Sequence, residues 1–382
     1  LAQVNEDLVR AVAARCPDQR IATIDQDATI HESHKREALA HYEGGRGYQP
    51  MTAVWAELNL VVADQFRDGN VPASFAPLPV AQAAFAALPS TIQAFYYRGD
   101  SACHESELLT WLRDPARPMG PPGRIGFAIS ARMSPALAAA IQALPETAWQ
   151  GPGAAGVWQV AEARVRLPGW TGERRVVFAR KLQGQTPALA QGQFWRQVKH
   201  ELAAYVTNLD ESAANAWQVQ ALYRERADAE NVFDELKGQW GFNGFCAHSR
   251  RVSALAARLL LLVYNLWSLF VRLLEPSRHV EAAGSRRWFL VIAARLVESG
   301  REKALLVSVQ GRWWEQLKAG YTRVASTMNP QEVCALHRKN RYDLILLDLQ
   351  MPGMDGFQVM QALQGQDAES TLPVIVLTPQ PG

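Results

Sequence analysis

The sequence predicts an α/β protein in two unequal parts, and three observations carry that reading. Residues 20 to 98 read as strand, strand, strand, helix, strand. The run G-V-W-Q-V-A-E-A-R-V-R-L-P-G-W-T-G-E-R-R-V-V-F-A-R-K-L, from Gly156 to Leu182, reads as two or three further strands set into that order. From Met328 onward, continuous apolar strands alternate with helices, which indicates a small parallel sheet.

Composition sets the outer limits. A chain of 382 residues with 48% hydrophobic and 20% charged residues can bury a sizeable core in two or three units. The formal net charge is +2, and residues 322 to 382 carry four Lys/Arg against six Asp/Glu, leaving 35 against 31 elsewhere. Any polyanion site is therefore a local patch. Cys16, Cys103, Cys246 and Cys334 lie far apart with no C-x-x-C pair, so neither a disulfide framework nor a zinc knuckle is indicated, and a reducing, cytoplasmic setting is expected. The chain starts at Leu1 without a basic-then-apolar signal segment. Its longest apolar stretch, Leu259 to Val271, lies between Arg258 and Arg272 and reads as a buried helix, so no membrane partner is expected.

In chain order, R-I-A-T-I-D-Q-D-A-T-I-H is rich in β-branched residues and reads as a strand. Asp25 and Asp27 sit two apart in it and share a face, which is unfavourable unless that face is solvated or meets a cation. His31, His34 and His41 follow, but H-E-x-H is not the H-E-x-x-H zinc pattern. Gly44, Gly45 and Gly47 mark a turn and no nucleotide fingerprint, since no helix opens after them. Strands near 48 to 57 and 58 to 66 lead to an Ala-rich helix near 80 to 88. A fourth strand, I-Q-A-F-Y-Y-R, then ends at Gly99-Asp100, and the helix S-E-L-L-T-W-L follows. A strand at 125 to 131 and a helix at 137 to 144 precede the β-rich insertion, placed at about 150 to 190, and A-A-Y-V-T-N-L reads as a last core strand.

The stretch Y-R-E-R-A-D-A-E-N-V-F-D-E-L-K, Tyr223 to Lys237, lacks Pro and Gly and reads as one helix. At roughly 100° per residue, Tyr223, Arg226, Glu230 and Lys237 fall within an arc of about 60°. Such a face is either a solvated charge stripe or a phosphodiester site. The spacing of these four residues resembles the YREK signature of insertion-sequence DDE transposases. The words I-D-Q-D-A-T and Y-Y-R-G-D-S resemble the two Asp motifs of the same class, nearest insertion-sequence family thirteen-eighty.

That resemblance implies a ribonuclease-H-like core in which the first and fourth strands lie side by side. It implies Asp27, rather than Asp25, with Asp100 and Glu230 as catalytic residues and ligands of Mg²⁺ or Mn²⁺. It implies that Tyr223, Arg226 and Lys237 bind DNA, and that the β-rich insertion belongs to the class. Arg164, Arg166, Arg174, Arg175, Arg180 and Lys181 on the insertion are candidate phosphate holders. Trp158, Trp170 and Trp195 are either core residues or platforms for an extruded base. The implied partners are transposon-end and target DNA, with a homodimer in a synaptic complex.

Near Val324 the character changes. L-I-L-L-D-L-Q-M-P-G-M-D-G and P-V-I-V-L-T resemble the middle of a response-regulator receiver, a doubly wound fold. By that resemblance Asp348 is the phosphoacceptor-like residue and Thr378 the hydroxyl that reads it. The nearest run that could be a receiver's first strand, K-A-L-L-V-S-V, ends without an acid, so Asp348 is expected not to accept phosphate. The expected division is a catalytic domain over 1 to 324 and a partial receiver-like segment over 325 to 382. The expected function is metal-dependent DNA strand cleavage and transfer at insertion-element ends. The alternatives are an inactive hybrid of a truncated transposase with a truncated receiver, or a phosphate-switched signalling module.

Overall fold

In a computed structural model, the structure describes residues 1–154, 156–167, 170, 172–190, 193–244, 247–275, 278–289, 294–299, 302–307, 329–340, 345–348, 356–364 and 374–377. The chain opens with α1 (Ala2–Ala14), which buries Leu8, Val9 and Val12. It divides into two compact units. One comprises Gln19–Asp234 with Asn243–Ala254, and the other Leu1–Asp18, Glu235–Phe242 and Leu255–Gly382.

The first unit is built on one mixed sheet. Strand β1 (Ile21–Ala28) pairs antiparallel with β5 (Met51–Trp55), which pairs antiparallel with β6 (Leu60–Gln65). On its other side β1 runs parallel to β7 (Ala94–Gly99), and β7 parallel to β8 (Ile125–Ser130). The order β6-β5-β1-β7-β8 thus sets the first and fourth predicted strands side by side. β1 is buried on both faces through its middle, so its sequence carries a β-branched run without a clean polar alternation. Short strands β2 (His31–Glu32), β3 (Leu39–Ala40) and β4 (Arg46–Tyr48) form a separate small sheet in the order β2-β4-β3. They lie in the stretch ahead of the predicted strand near 48 to 57, whose body is β5.

The insertion extends the main sheet. Strands β9 (Trp158–Val165) and β10 (Arg174–Ala190) form an antiparallel meander with β11 (Gln193–Thr207), whose end covers the predicted last core strand A-A-Y-V-T and pairs with β8.

Helices cover both faces. Phe95 and Arg98 lie an odd number of residues apart on β7 and so point to opposite faces. Phe95 meets Phe85 of α2 (Leu78–Ala86) at 6.2 Å between ring centroids, and Phe85 in turn meets Trp111 of α3 (Ser106–Arg113) at 5.9 Å. After α4 (Pro135–Ala143), α5 (Ala216–Arg224) covers the Arg98 face. Val219 of α5 packs in a cluster with Ala128, Val160, Val177 and Tyr205. Asn215 and Gln218 form a capping box at its start.

The predicted single helix over 223 to 237 is corrected. α5 ends at Arg224, and α6 (Ala227–Trp240) begins after a turn at Glu225–Arg226. The Arg226 N–H bonds three residues back to the Tyr223 carbonyl (3.0 Å) and the Glu230 N–H to the Arg226 carbonyl (3.2 Å), so the helix is interrupted without Gly or Pro. α6 continues through Gly238 to Trp240.

In the second unit, the end of α6 packs on α7 (Arg250–Leu274), with Trp240 edge-on to Tyr264 at 6.1 Å and to Trp267 at 6.3 Å. α8 (Ala282–Phe289) follows, then a hairpin of β12 (Ala294–Ser299) and β13 (Glu302–Val307). β13 covers most of K-A-L-L-V-S-V and pairs antiparallel with β12. Helix Val333–Asn340, strand β14 (Ile345–Asp348), helix Gly356–Gln364 and strand β15 (Val374–Leu377) alternate, and β14 runs parallel to β15 as the apolar strands predicted.

Candidate active site

The register of two parallel strands generates the site. Asp25 faces Arg98 and Gln26 faces Gly99 across β1 and β7, so Asp27 and Asp100 emerge at the same end of neighbouring strands. Side chains two apart on a strand share a face, so the acids lie on the face that carries Asp25 and Arg98.

The face is not a solvated edge. The Asp25 carboxyl is fully buried and takes two 2.6 Å bonds from Arg98. Burial pushes it up to about 6, against the pull of the guanidinium. Asp27 keeps 23% of its side chain exposed and contacts Arg226 Nη2 at 3.2 Å. Each of the two like charges has its own cation, which is how β1 tolerates both.

Arg226, at the α5–α6 turn, also reaches Glu230 Oε1 through Nη1 at 3.1 Å. Glu230 is 59% exposed on the first turn of α6. Burial of Arg226 works against its charge, but Asp27, Tyr223, Asp100 and Asp25 outweigh it and hold the guanidinium above its ordinary value. Its Nε is buried without a hydrogen-bond partner. Asp100 accepts the Ala102 N–H at 2.9 Å, fixing the turn after β7.

Tyr223, in the last turn of α5, stacks on Tyr205 of β11 at 4.5 Å. Burial pushes its hydroxyl up; Arg226 and a hydrogen bond with Ser130 act the other way, while Asp100 and Glu230 add to the rise. Lys237 lies about two turns beyond Glu230 on α6, half-buried in the second unit. Because the helix turns at Glu225–Arg226, the shared arc expected of a straight helix does not describe these four residues. Tyr223, Arg226 and Glu230 are instead brought into one electrostatic neighbourhood with Asp27 and Asp100.

Among the described residues, no three acids, histidines or cysteines stand close enough to hold a metal together. A guanidinium joins Asp27 to Glu230. The donor set is nonetheless all carboxylate oxygen, the chemistry that suits a hard divalent cation.

The expected phosphate holders separate. Arg175 is buried, spent on Glu162 and on the carbonyls of Leu209 and Ala214, so it holds the fold and not a phosphate. Arg180 pairs with Glu146 and lies over Trp149 at 4.2 Å, and Lys181 pairs with Glu201 and lies over Trp158 at 5.0 Å. Arg164 and Arg166 are exposed. Trp158 packs against the cluster around Val177, whereas Trp170 lies between Arg174 (5.3 Å) and His104 (5.2 Å). Trp170 lines a cavity of about 510 Å³ with Ser101, His104 and Arg132, beside Asp100 in sequence. The side chain of Trp195 lies outside the described residues.

Sequence reasoning passed over Arg98, Ser130 and Tyr42. Arg98 had a signal: it sits two before Asp100, as Asp25 sits two before Asp27. Tyr42, 75% exposed between β3 and β4, has its hydroxyl pushed up by burial, Glu43, Asp100 and Asp27. Asp348 is the last residue of β14, opposite Leu377 of β15. Thr378 lies outside the described residues.

The receiver segment is similar to the response regulator PleD of Caulobacter vibrioides, 36% identical over 63 residues, which is 16% of this chain and 14% of that protein. It is also similar to the transcriptional regulatory protein AfsQ1 of Streptomyces coelicolor, 41% identical over 56 residues (15% and 24%). The chain thus spans a quarter or less of either relative. A solved piggyBac transposase synaptic complex with hairpin DNA aligns over 91% of this chain and 57% of that one, at 8% identity and a TM-score of 0.40. The response regulator receiver domain family matches residues 305–381, and the family described as transposase DDE domain group 1 matches residues 1–329. The chain belongs to the DDE transposase domain family, joined to a response-regulator receiver domain.

Proposed function

We propose that this chain is a DNA transposase that cleaves and rejoins phosphodiesters at insertion-element ends, with Asp27, Asp100 and Glu230 as its catalytic carboxylates. The observation that carries the reading is the β1–β7 register. It sends Asp27 and Asp100 out together, and Arg226 links Asp27 to Glu230. We divide the chain at 324, within the stretch 305 to 329 that both family matches cover.

The three carboxylates would hold Mg²⁺ or Mn²⁺. When bound, the cation supplies a Lewis acid for the scissile phosphate and lowers the pKa of the attacking hydroxyl. The chain's own groups do the rest. Arg226 neutralises Asp27 and Glu230 while no cation is present, and its unpartnered Nε is a donor for a phosphate oxygen. Tyr223 offers a hydroxyl in the same electrostatic neighbourhood. Trp170 with Arg174, next to the cavity that includes Ser101, offers a stacking wall for the DNA strand. Two copies of the chain would act on two element ends.

Nicking of DNA that carries the element's ends, in Mg²⁺ or Mn²⁺, tests the reading. Wild type should nick, and Glu230→Ala should lose on the order of a hundredfold or more in rate. Equal cleavage by the two would rule the proposal out.

A further inference from the structure

We infer that Arg98 is a positioning residue for this site, locking the strands that carry Asp27 and Asp100 to the helix turn that carries Arg226 and Glu230. The inference rests on the transposase reading above but stands on its own geometry. Arg98 lies on β7, only 3% exposed, and every nitrogen of its guanidinium is used. Nε and Nη2 each donate to Asp25 at 2.6 Å, a two-pronged pair with a carboxylate of 0% exposure. Nη1 donates to the Leu222 carbonyl at 3.1 Å and faces Glu225 Oε2 at 3.4 Å.

Leu222 is in the last turn of α5, where helix carbonyls lack partners within the helix. Glu225 is the first residue of the turn, and the Arg226 N–H bonds back to Tyr223. One side chain therefore connects β1, β7 and the point at which the helix bends. Its hold on Leu222 and Glu225 sets where Arg226 emerges, and Arg226 in turn meets Asp27 and Glu230.

This assigns the two acids of I-D-Q-D different tasks. Asp27 faces the reaction, and Asp25 anchors the arginine that aligns the opposite wall. Lysine cannot replace Arg98, because one ammonium cannot serve a carboxylate in a fork and a carbonyl at the same time.

A buried pair that only stabilises the fold would make similar contacts, so the test must separate local alignment from global stability. Two variants serve: Arg98→Lys, and the neutral pair Asp25→Asn with Arg98→Gln, which removes the buried charges and keeps the strands intact if the lysine variant does not fold. Amide hydrogen exchange is followed over 222 to 230 and over β1, β7 and β8. Alongside it, nicking of supercoiled plasmid with Mn²⁺ is measured in wild-type and Arg226→Ala backgrounds.

The expected result is about tenfold faster exchange over 222 to 230, with strand amides changed less than about twofold. Plasmid nicking should fall in kcat with KM for plasmid unchanged, and Arg98→Lys should cost nothing further once Arg226 is alanine. Exchange that rises evenly through the unit, or does not rise over 222 to 230, would overturn the inference. If wild type and Glu230→Ala nick alike, the transposase reading fails while the exchange result still decides the role of Arg98.

Discussion

Asp25 and Asp27 differ by one turn of the strand pleat and inhabit different electrostatic worlds. Asp25 is sealed against Arg98, while Asp27 is partly open and shares Arg226 with Glu230. The same local field acts on Cys103, three residues after Asp100. Burial, with Asp100 adding to it, pushes its thiol up to about 12. At pH 8 the reactive thiolate is thus a negligible fraction, so iodoacetamide should leave Cys103 unmodified while labelling the partly exposed Cys16 and Cys334. Peptide mass mapping checks this, and labelling of Cys103 at the rate of Cys16 in the folded protein would show that the pocket around it is open. The pairing of the strands that lead to Asp27 and Asp100 was expected only through the resemblance of I-D-Q-D-A-T and Y-Y-R-G-D-S to two Asp motifs, and β1 does lie beside β7. For Arg98 the sequence carries only its spacing two before Asp100; its contacts with Leu222 and Glu225 are distant in sequence, and only the fold brings them to it.

Among the elements, the α5–α6 pair departs most from what periodicity suggests. No Gly or Pro marks the break at Glu225–Arg226, so nothing local in Y-R-E-R-A-D-A-E announces a bend. The insertion strands were legible from their β-branched and aromatic runs. Their merging with the main sheet was not, since strand pairing is non-local. At the far end of α6, Glu235 is buried and accepts from Trp240 Nε1 at 3.2 Å and the Ala282 N–H at 2.8 Å, and it pairs with His279 Nε2 at 2.9 Å. It thereby fastens α6 to the first turn of α8. Glu235→Ala would leave these groups buried without a partner and should cost about 2 to 4 kcal/mol of stability, read as a lower denaturant midpoint. A change under about 0.5 kcal/mol would mean that the α6–α8 link carries no weight.

At the scale of the whole molecule, a match to the DDE transposase domain over 1–329 and a match to the response regulator receiver domain over 305–381 share one chain. Among the described residues, β14 ends at Asp348 and runs parallel to β15, whereas β13 carries no acid at its C-terminal end and pairs with β12. Because K-A-L-L-V-S-V ends without an acid, Asp348 should gain no phosphate from acetyl phosphate and Mg²⁺. Intact mass reads the outcome, and a stoichiometric gain of one phosphoryl group would contradict it.

In the proposed reaction Asp27, Asp100 and Glu230 together would hold a divalent cation. Mn²⁺ binding followed by electron paramagnetic resonance, on wild type and on Asp27→Asn, Asp100→Asn and Glu230→Gln, tests it without any need for DNA or turnover. Each substitution should weaken Mn²⁺ binding by about tenfold or more, since each removes a charged oxygen ligand. Wild-type affinity in all three variants would contradict the assignment of these carboxylates as the metal site.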